Sequence, residues 1–152
     1  MTNREIKFRG KRIDNGQWVY GYYVKHLPYT PAPLFSDRKK YDEQIQKDTK
    51  HFIAKAGFSD WCMPREIELI EIDVNTLGEY IGIKDKNDKD IYEEDIVKHV
   101  GVKTQRLVRF EFGTFIVGKH SGSSTKATPM LLCKRDEVIG NIHDNPELLI
   151  NK

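Results

Sequence analysis

Leu77-Gly78-Glu79-Tyr80-Ile81-Gly82-Ile83 is followed by Lys84-Asp85-Lys86-Asn87-Asp88-Lys89-Asp90 and then by Ile91-Tyr92-Glu93-Glu94-Asp95-Ile96-Val97. The outer runs are rich in β-branched and aromatic residues over short lengths, the pattern of strands. The middle run is a connector of turn formers. The stretch therefore reads as strand Leu77–Ile83, turn, and strand Ile91–Val100, and it sets a β-rich reading for the whole chain.

The same pattern extends in both directions. Upstream, Glu66-Ile67-Glu68-Leu69-Ile70-Glu71-Ile72-Asp73 reads as a strand with its acids facing water, although the Leu69-Ile70 pair interrupts strict alternation. Asp73 to Thr76 read as a turn. Downstream, strands over 107–112 and 114–118 meet at Gly113, residues 119–128 form a Ser/Gly/Thr loop, and a last strand over 138–142 leads through Asn145-Pro146 into a short turn. At the N-terminus a short strand over 4–9 and the aromatic run from Trp18 to Val24 flank Asp14-Asn15-Gly16, which predicts a hairpin. Between them and the acidic strand, residues 27–57 form a loop-rich excursion, because Pro28, Pro31 and Pro33 forbid ladder pairing and a polar run follows. Within it Ser36 is a candidate cap for a short helix through Tyr41 and Ile45, and residues 51–54 return toward the sheet.

Bulk properties exclude more than they assign. The chain has 152 residues with 25 Lys and Arg against 23 Asp and Glu, so its formal charge is +2. That size fits one ordinary domain over 1–152, and so balanced a charge points to no particular polyanion or lipid surface. No stretch is long and apolar enough to span a bilayer, and the charged N-terminus lacks a signal-peptide core. Cys62 and Cys133 stand alone, outside any Cys-x-x-Cys spacing, and read as inert reduced thiols of a cytoplasmic protein.

Three segments resemble the YopX family, small proteins encoded by bacteriophages and prophages. The first is Arg4-Glu5-Ile6-Lys7-Phe8-Arg9 with Trp18-Val19-Tyr20-Gly21. The second holds Thr76, Tyr80, Gly82, Asp85-Lys86-Asn87, Ile91-Tyr92-Glu93 and Asp95-Ile96-Val97. The third is Val138-Ile139-Gly140-Asn141-Ile142 with Asn145-Pro146-Glu147-Leu148. Where the family pattern has glycine this chain has Asp88 and Glu94, and where it has an aromatic this chain has His143. The Asp88 departure implies either a tolerated left-handed backbone or a longer connector. The resemblance implies a mostly β (β-rich α+β) fold with an N-terminal hairpin, a small barrel-like C-terminal half and one or two short helices. It also implies self-association, and it implies no reaction and no cofactor.

The chemical signals are weak when weighed singly. Asp85, Asn87 and Lys89 imitate an EF-hand start, but that template needs glycine and glutamate where Asp90 and Ile96 stand. Glu93-Glu94-Asp95 would place Glu93 and Asp95 on one side of a strand with no His or Cys at ligand spacing, so one of them reads as an acceptor for turn amides while Ile96 points inward. The five histidines show no metal-ligand spacing. Residues 118–124 imitate a phosphate loop without the helix that such a loop precedes. No catalytic, metal or cofactor-binding residue is assigned.

Charge placement says more. Lys98, Lys103, Arg106 and Arg109 carry four positives with no carboxylate between 98 and 109, whereas residues 84–95 hold three lysines against six acids. The four cations are candidates for contact with a polyanion or a second subunit. The reading that follows is a phage-encoded, non-enzymatic, cytoplasmic protein that self-associates and binds a phage or host macromolecule, with no membrane contact. The alternatives are a nucleic-acid-binding small barrel, which is not favoured, and a nucleotide or metal site formed between subunits.

Overall fold

The computed structural model describes residues 4–32, 37–57, 62–63, 65–101, 105–111, 113–118 and 135–149. By internal contact the chain divides into two compact units, residues 7–77 and residues 1–6 with 78–152.

In the first unit β1 (Phe8–Arg12), β2 (Trp18–His26), β3 (Lys50–Ala56) and the first part of β4 (Ile67–Lys84) are successive antiparallel neighbours, and β1 also pairs with β4. The four strands thus close on themselves. Val19, Ile53, Ile70 and Ile72 fill the interior, with Phe8, Tyr23 and Leu77 packed against them. Burying each such aliphatic side chain contributes about 1.5–3 kcal/mol. The ring is tight at Gly21, where a Cβ would come within 2.2 Å of the Ala54 carbonyl oxygen, so only glycine lets the two strands approach. The β1–β2 turn falls at the predicted Asp14-Asn15-Gly16, with Gly16 at φ +70° and Asn15 Oδ1 accepting from the Gln17 amide at 2.9 Å.

Three local expectations change in this unit. The first strand begins at Phe8 rather than at residue 4. The helix expected through Tyr41 and Ile45 and the return expected at 51–54 are present within the excursion as α1 (Arg38–Asp48) and β3, beyond the last of its prolines at position 33. The helix cap is Asp37, whose carboxylate accepts from the Lys39 amide at 3.0 Å; Ser36 lies outside the described residues. No residue of α1 is buried, and Tyr41 and Ile45 reach only half-burial on its inner side. Finally, Asp73 to Thr76 do not break the chain. Asp73 Oδ1 accepts from the Asn75 amide and Thr76 Oγ1 donates to the Asp73 carbonyl, making a local kink that β4 runs through.

In the second unit the end of β4 pairs with β5 (Asp90–Tyr92). A four-stranded antiparallel sheet follows, in the order β8 (Thr114–Gly118), β7 (Gln105–Glu111), β6 (Asp95–His99) and β9 (Asp136–Asn141). Ile91, Val97, Val108, Val117 and Val138 form one core, with Ile81 and Ile83 against it. A second core joins Ile96 and Leu107 to Leu149 of the closing 3₁₀ turn, Pro146–Leu149. Consecutive residues of β6 and β7 serve different cores, as the period of two requires. The expected single strand Ile91–Val100 is two strands, because Glu94 turns the chain at φ +66°.

The described residues are mostly β, 56% strand against 13% helix, with one α-helix and two antiparallel sheets among them. Strand-to-strand closure is found among β1–β4.

Candidate functional site

Three polar side chains buried in the second unit, Asp85, Asp95 and Asn141, are committed to turns. Asp85 is 5% exposed; its Oδ1 accepts from the amides of Asn87 at 2.7 Å and Lys89 at 2.9 Å, and its Oδ2 from that of Val138 at 3.0 Å. Burial opposes ionisation most strongly of any single influence here. The amides of Val138, Lys89 and Asn87, with the Lys89 charge, nevertheless hold the carboxyl below its ordinary range. Together with the Lys86 amide, which donates to the Asp136 carbonyl at 3.0 Å, Asp85 occupies the outer edge of β9. That edge is thereby closed to further pairing at those positions.

Asp95 is 1% exposed, and its Oδ2 accepts from the Tyr92 amide at 2.9 Å across the Glu93-Glu94 turn. Of the two carboxylates expected to accept from turn amides, Asp95 does so at close range while Ile96 is fully buried; Glu93 Oε1 lies 3.4 Å from the Phe110 amide. Burial pushes the Glu93 carboxyl up, and the negative charges of Glu94 and Glu79 add to this against the Phe110 amide. Asn141 is buried too, its Oδ1 accepting from the amides of His143 and Asp144 at 3.0 and 2.9 Å. Beside it a Cβ on Gly140 would meet Asn145 Oδ1 at 2.6 Å, which explains why glycine precedes asparagine in this closing segment.

Two imidazole–carboxylate pairs complete the set: His99 Nδ1 to Asp136 Oδ1 at 2.9 Å, and His143 Nε2 to Glu94 Oε2 at 2.6 Å. Among the described residues no group of three or more His, Cys, Asp or Glu side chains is placed to hold a metal ion.

The four candidate cations do not form one stripe. Strand alternation puts Lys98 and Arg109 on the Leu107 side of the sheet and Arg106 on the Val108 side. Lys98 is opposite Glu137 on β9, and Arg109 Nη1 lies 3.7 Å from Glu111 Oε1, so carboxylates distant or just beyond in sequence enter the set. Lys103 lies outside the described residues, as do Cys133, His120 and the phosphate-loop imitation beyond Gly118. Cys62 is exposed rather than packed as a small apolar residue.

A shallow cleft of about 520 Å³ in the first unit is lined by Lys11, Arg12, Lys50, His51, Glu71 and Asp73 among others. Its charges are engaged locally: Arg12 with Asp14, Lys50 with Glu71 at 3.2 Å, and Lys11 over the Trp18 ring. They do not converge on a common point for a ligand.

What the sequence reading missed is the outer face of the closed strands. Tyr20, Tyr22, Ile67 and Leu69 are 50, 64, 75 and 54% exposed. The signal was present in the Leu69-Ile70 pair. There the apolar positions of β4 switch sides: Ile70 and Ile72 enter the interior while Ile67 and Leu69 face water on the side of Glu71.

Turn-anchoring acids inside and an apolar exposed sheet face outside define an antiparallel β protein. The chain belongs to the YopX family: the model of that family, described as YopX protein, matches residues 7–150. In fold it is similar to the crystal structure of protein EF1440 from Enterococcus faecalis, with a TM-score of 0.50 and 22% identity over 97% of this chain and 99% of that one. No curated protein matches the sequence. Among the described residues no helix is long and apolar enough to cross a membrane.

Proposed function

We propose that this YopX-family protein is a non-enzymatic binding protein that self-associates and engages a phage or host macromolecule in the cytoplasm of a bacterial host. The observation that carries this reading is the exposed apolar face of β2 and β4, at Tyr20, Tyr22, Ile67 and Leu69. Contiguous exposed apolar surface of this kind marks interaction sites on folded proteins. The use of buried acids supports it: Asp85 and Asp95 spend their lone pairs on backbone amides rather than facing a cleft. Light scattering tests the assembly part. A mass that rises with concentration into the tens of micromolar supports it, and a strict monomer throughout refutes it. Pull-down from infected cells tests the partner.

A second reading, a nucleic-acid-binding small barrel, is favoured by one observation. Arg9 and Lys11 lie over the Trp18 ring at 4.7 and 5.4 Å, next to the exposed Tyr20 and Tyr22 on a closed set of strands. Barrels of this size bind single strands by combining cations with aromatic platforms. Binding to oligonucleotides that weakens steeply with salt would support this second reading. Undetectable binding at low ionic strength would end it.

A further inference from the structure

We propose that the outer face of β2–β3–β4 is the surface through which two copies of this chain pair about a two-fold axis. The inference rests on the self-associating reading and names its surface. Tyr22, Ala54 and Leu69 are direct cross-strand partners in one row, and Ala56 and Ile67 are partners in the next. Tyr20, two residues before Tyr22, shares their side. The face therefore has relief: a tyrosine ridge on β2, an aliphatic ridge on β4, and between them a trough on β3 that is closed at Ala54, 8% exposed, and open at Ala56. Two strand spacings put the ridges about 10 Å apart.

A face with one aromatic ridge beside a small-residue trough complements itself. A two-fold operation packs the tyrosine ridge of each copy against the open Ala56 end of the other's trough, an isologous contact made by the same residues on both copies. Charge argues for the same occupant. None of these six positions bears a formal charge at neutral pH in a chain that is 32% charged. The charges that share this side are engaged within the chain: Arg9, the partner of Tyr20, is 6% exposed and lies with Lys11 over the Trp18 ring, and Lys50 pairs with Glu71 at 3.2 Å. A polyanion would have to displace those contacts, whereas a second copy brings the same apolar rows and leaves the pairs in place. Area sets the strength. Four large residues, each at least half exposed, amount to a patch on the order of 400–500 Å², at the upper end for a monomer's largest patch. This falls short of the roughly 800 Å² that each partner contributes to a standard stable interface. The pairing through this face alone is thus a reversible, concentration-dependent one.

Sedimentation velocity over a series from micromolar to several hundred micromolar tests this on the full chain and on Tyr22→Lys, Leu69→Lys and the milder Tyr22→Ser. Val100→Lys, at an exposed residue of the second unit, is the control. Circular dichroism melts establish that each variant is folded. The expected result is association in the parent and in the control, weakened at least tenfold by each lysine on the face and less by the serine. Undiminished association in the folded face variants overturns the proposal while leaving self-association standing. A parent that stays monomeric overturns both. A monomeric parent whose capture of a phage or host protein is abolished by Leu69→Lys assigns the face to that partner and likewise overturns the pairing.

Discussion

His143 Nε2 lies 2.6 Å from Glu94 Oε2, and Glu94 itself stands at φ +66°, where an L-residue is strained. These are two of the three positions at which the sequence departs from the family pattern it resembles, and they meet. The Glu94 amide also donates to the Val108 carbonyl at 2.9 Å, and its carbonyl accepts from the Ile142 amide at 3.1 Å. The residue is thus a junction between β7 and the closing segment, and its side-chain bond offsets part of the backbone cost.

Glycine at 94 relieves about 1–2 kcal/mol of left-handed strain but forfeits a hydrogen bond worth about 1–2 kcal/mol. Urea unfolding is expected to place Glu94→Gly within about 1 kcal/mol of the parent by this balance, and Glu94→Ala well below it. In a His143→Ala background, where the bond is already lost, Glu94→Gly becomes stabilising. Additive single and double variants would deny the coupling.

Asp85→Ala strands the amides of Asn87, Lys89 and Val138 without their acceptor and is expected to cost about 3 kcal/mol or more. Asp85→Asn keeps one acceptor oxygen and costs less. Because the folded carboxyl titrates below its unfolded value, its contribution is present above the ordinary carboxylate pKa of about 4 and is lost as pH falls through the folded value. Acid unfolding followed by circular dichroism should therefore show a shallower acid limb for Asp85→Asn. An unchanged limb contradicts the assignment.

Glu93 has the opposite sign. Its folded pKa is raised, so the penalty for keeping it ionised is fully present above that value and disappears below the unfolded value of about 4.3. Glu93→Gln is expected to raise the melting temperature at neutral pH, with the gain shrinking as pH approaches 4. A gain independent of pH would point to packing instead.

At Gly21 the closed ring leaves no space for a methyl group. Gly21→Ala is expected to lower stability by about 1–3 kcal/mol as an overpacking substitution. The neighbouring Tyr22→Ala, on the outer face, is expected to leave the thermal midpoint nearly unchanged. Equal midpoints for the two would show that β2 and β3 are less closely set.

The strand content and the hairpin at Gly16 were legible, because a period of two and turn formers are local signals. The left-handed residues were half legible: the family pattern marked positions 88 and 94, and both are at positive φ, 65° and 66°. The single strand through Glu94 was misread because alternation alone does not register a residue that turns the chain without glycine or proline. Within the excursion the helix through Tyr41 and Ile45 and the return at 51–54 were legible and are α1 and β3; their lengths were not, because α1 buries no residue and has so weak an apolar stripe that its sequence looks like surface. The basic set was legible only in sequence order. Cross-strand register, which puts Glu137 opposite Lys98, is a tertiary fact. The break in alternation at Leu69-Ile70 showed locally that apolar side chains change sides, but which side faces water is likewise set by the register.

The central claim, self-association through the outer face of β2–β3–β4, is tested most directly by an intermolecular distance. A nitroxide placed by Lys25→Cys, exposed on β2 beyond Tyr22 and outside the proposed contact, in a background carrying Cys62→Ser and Cys133→Ser, reports it by pulsed dipolar spectroscopy. Sheets packed face to face lie about 10 Å apart and a strand rises about 3.3 Å per residue, so the account predicts label pairs within roughly 40 Å once linker length is added, at a modulation depth that grows with concentration. Oligomers whose labels show no such short distance would contradict it.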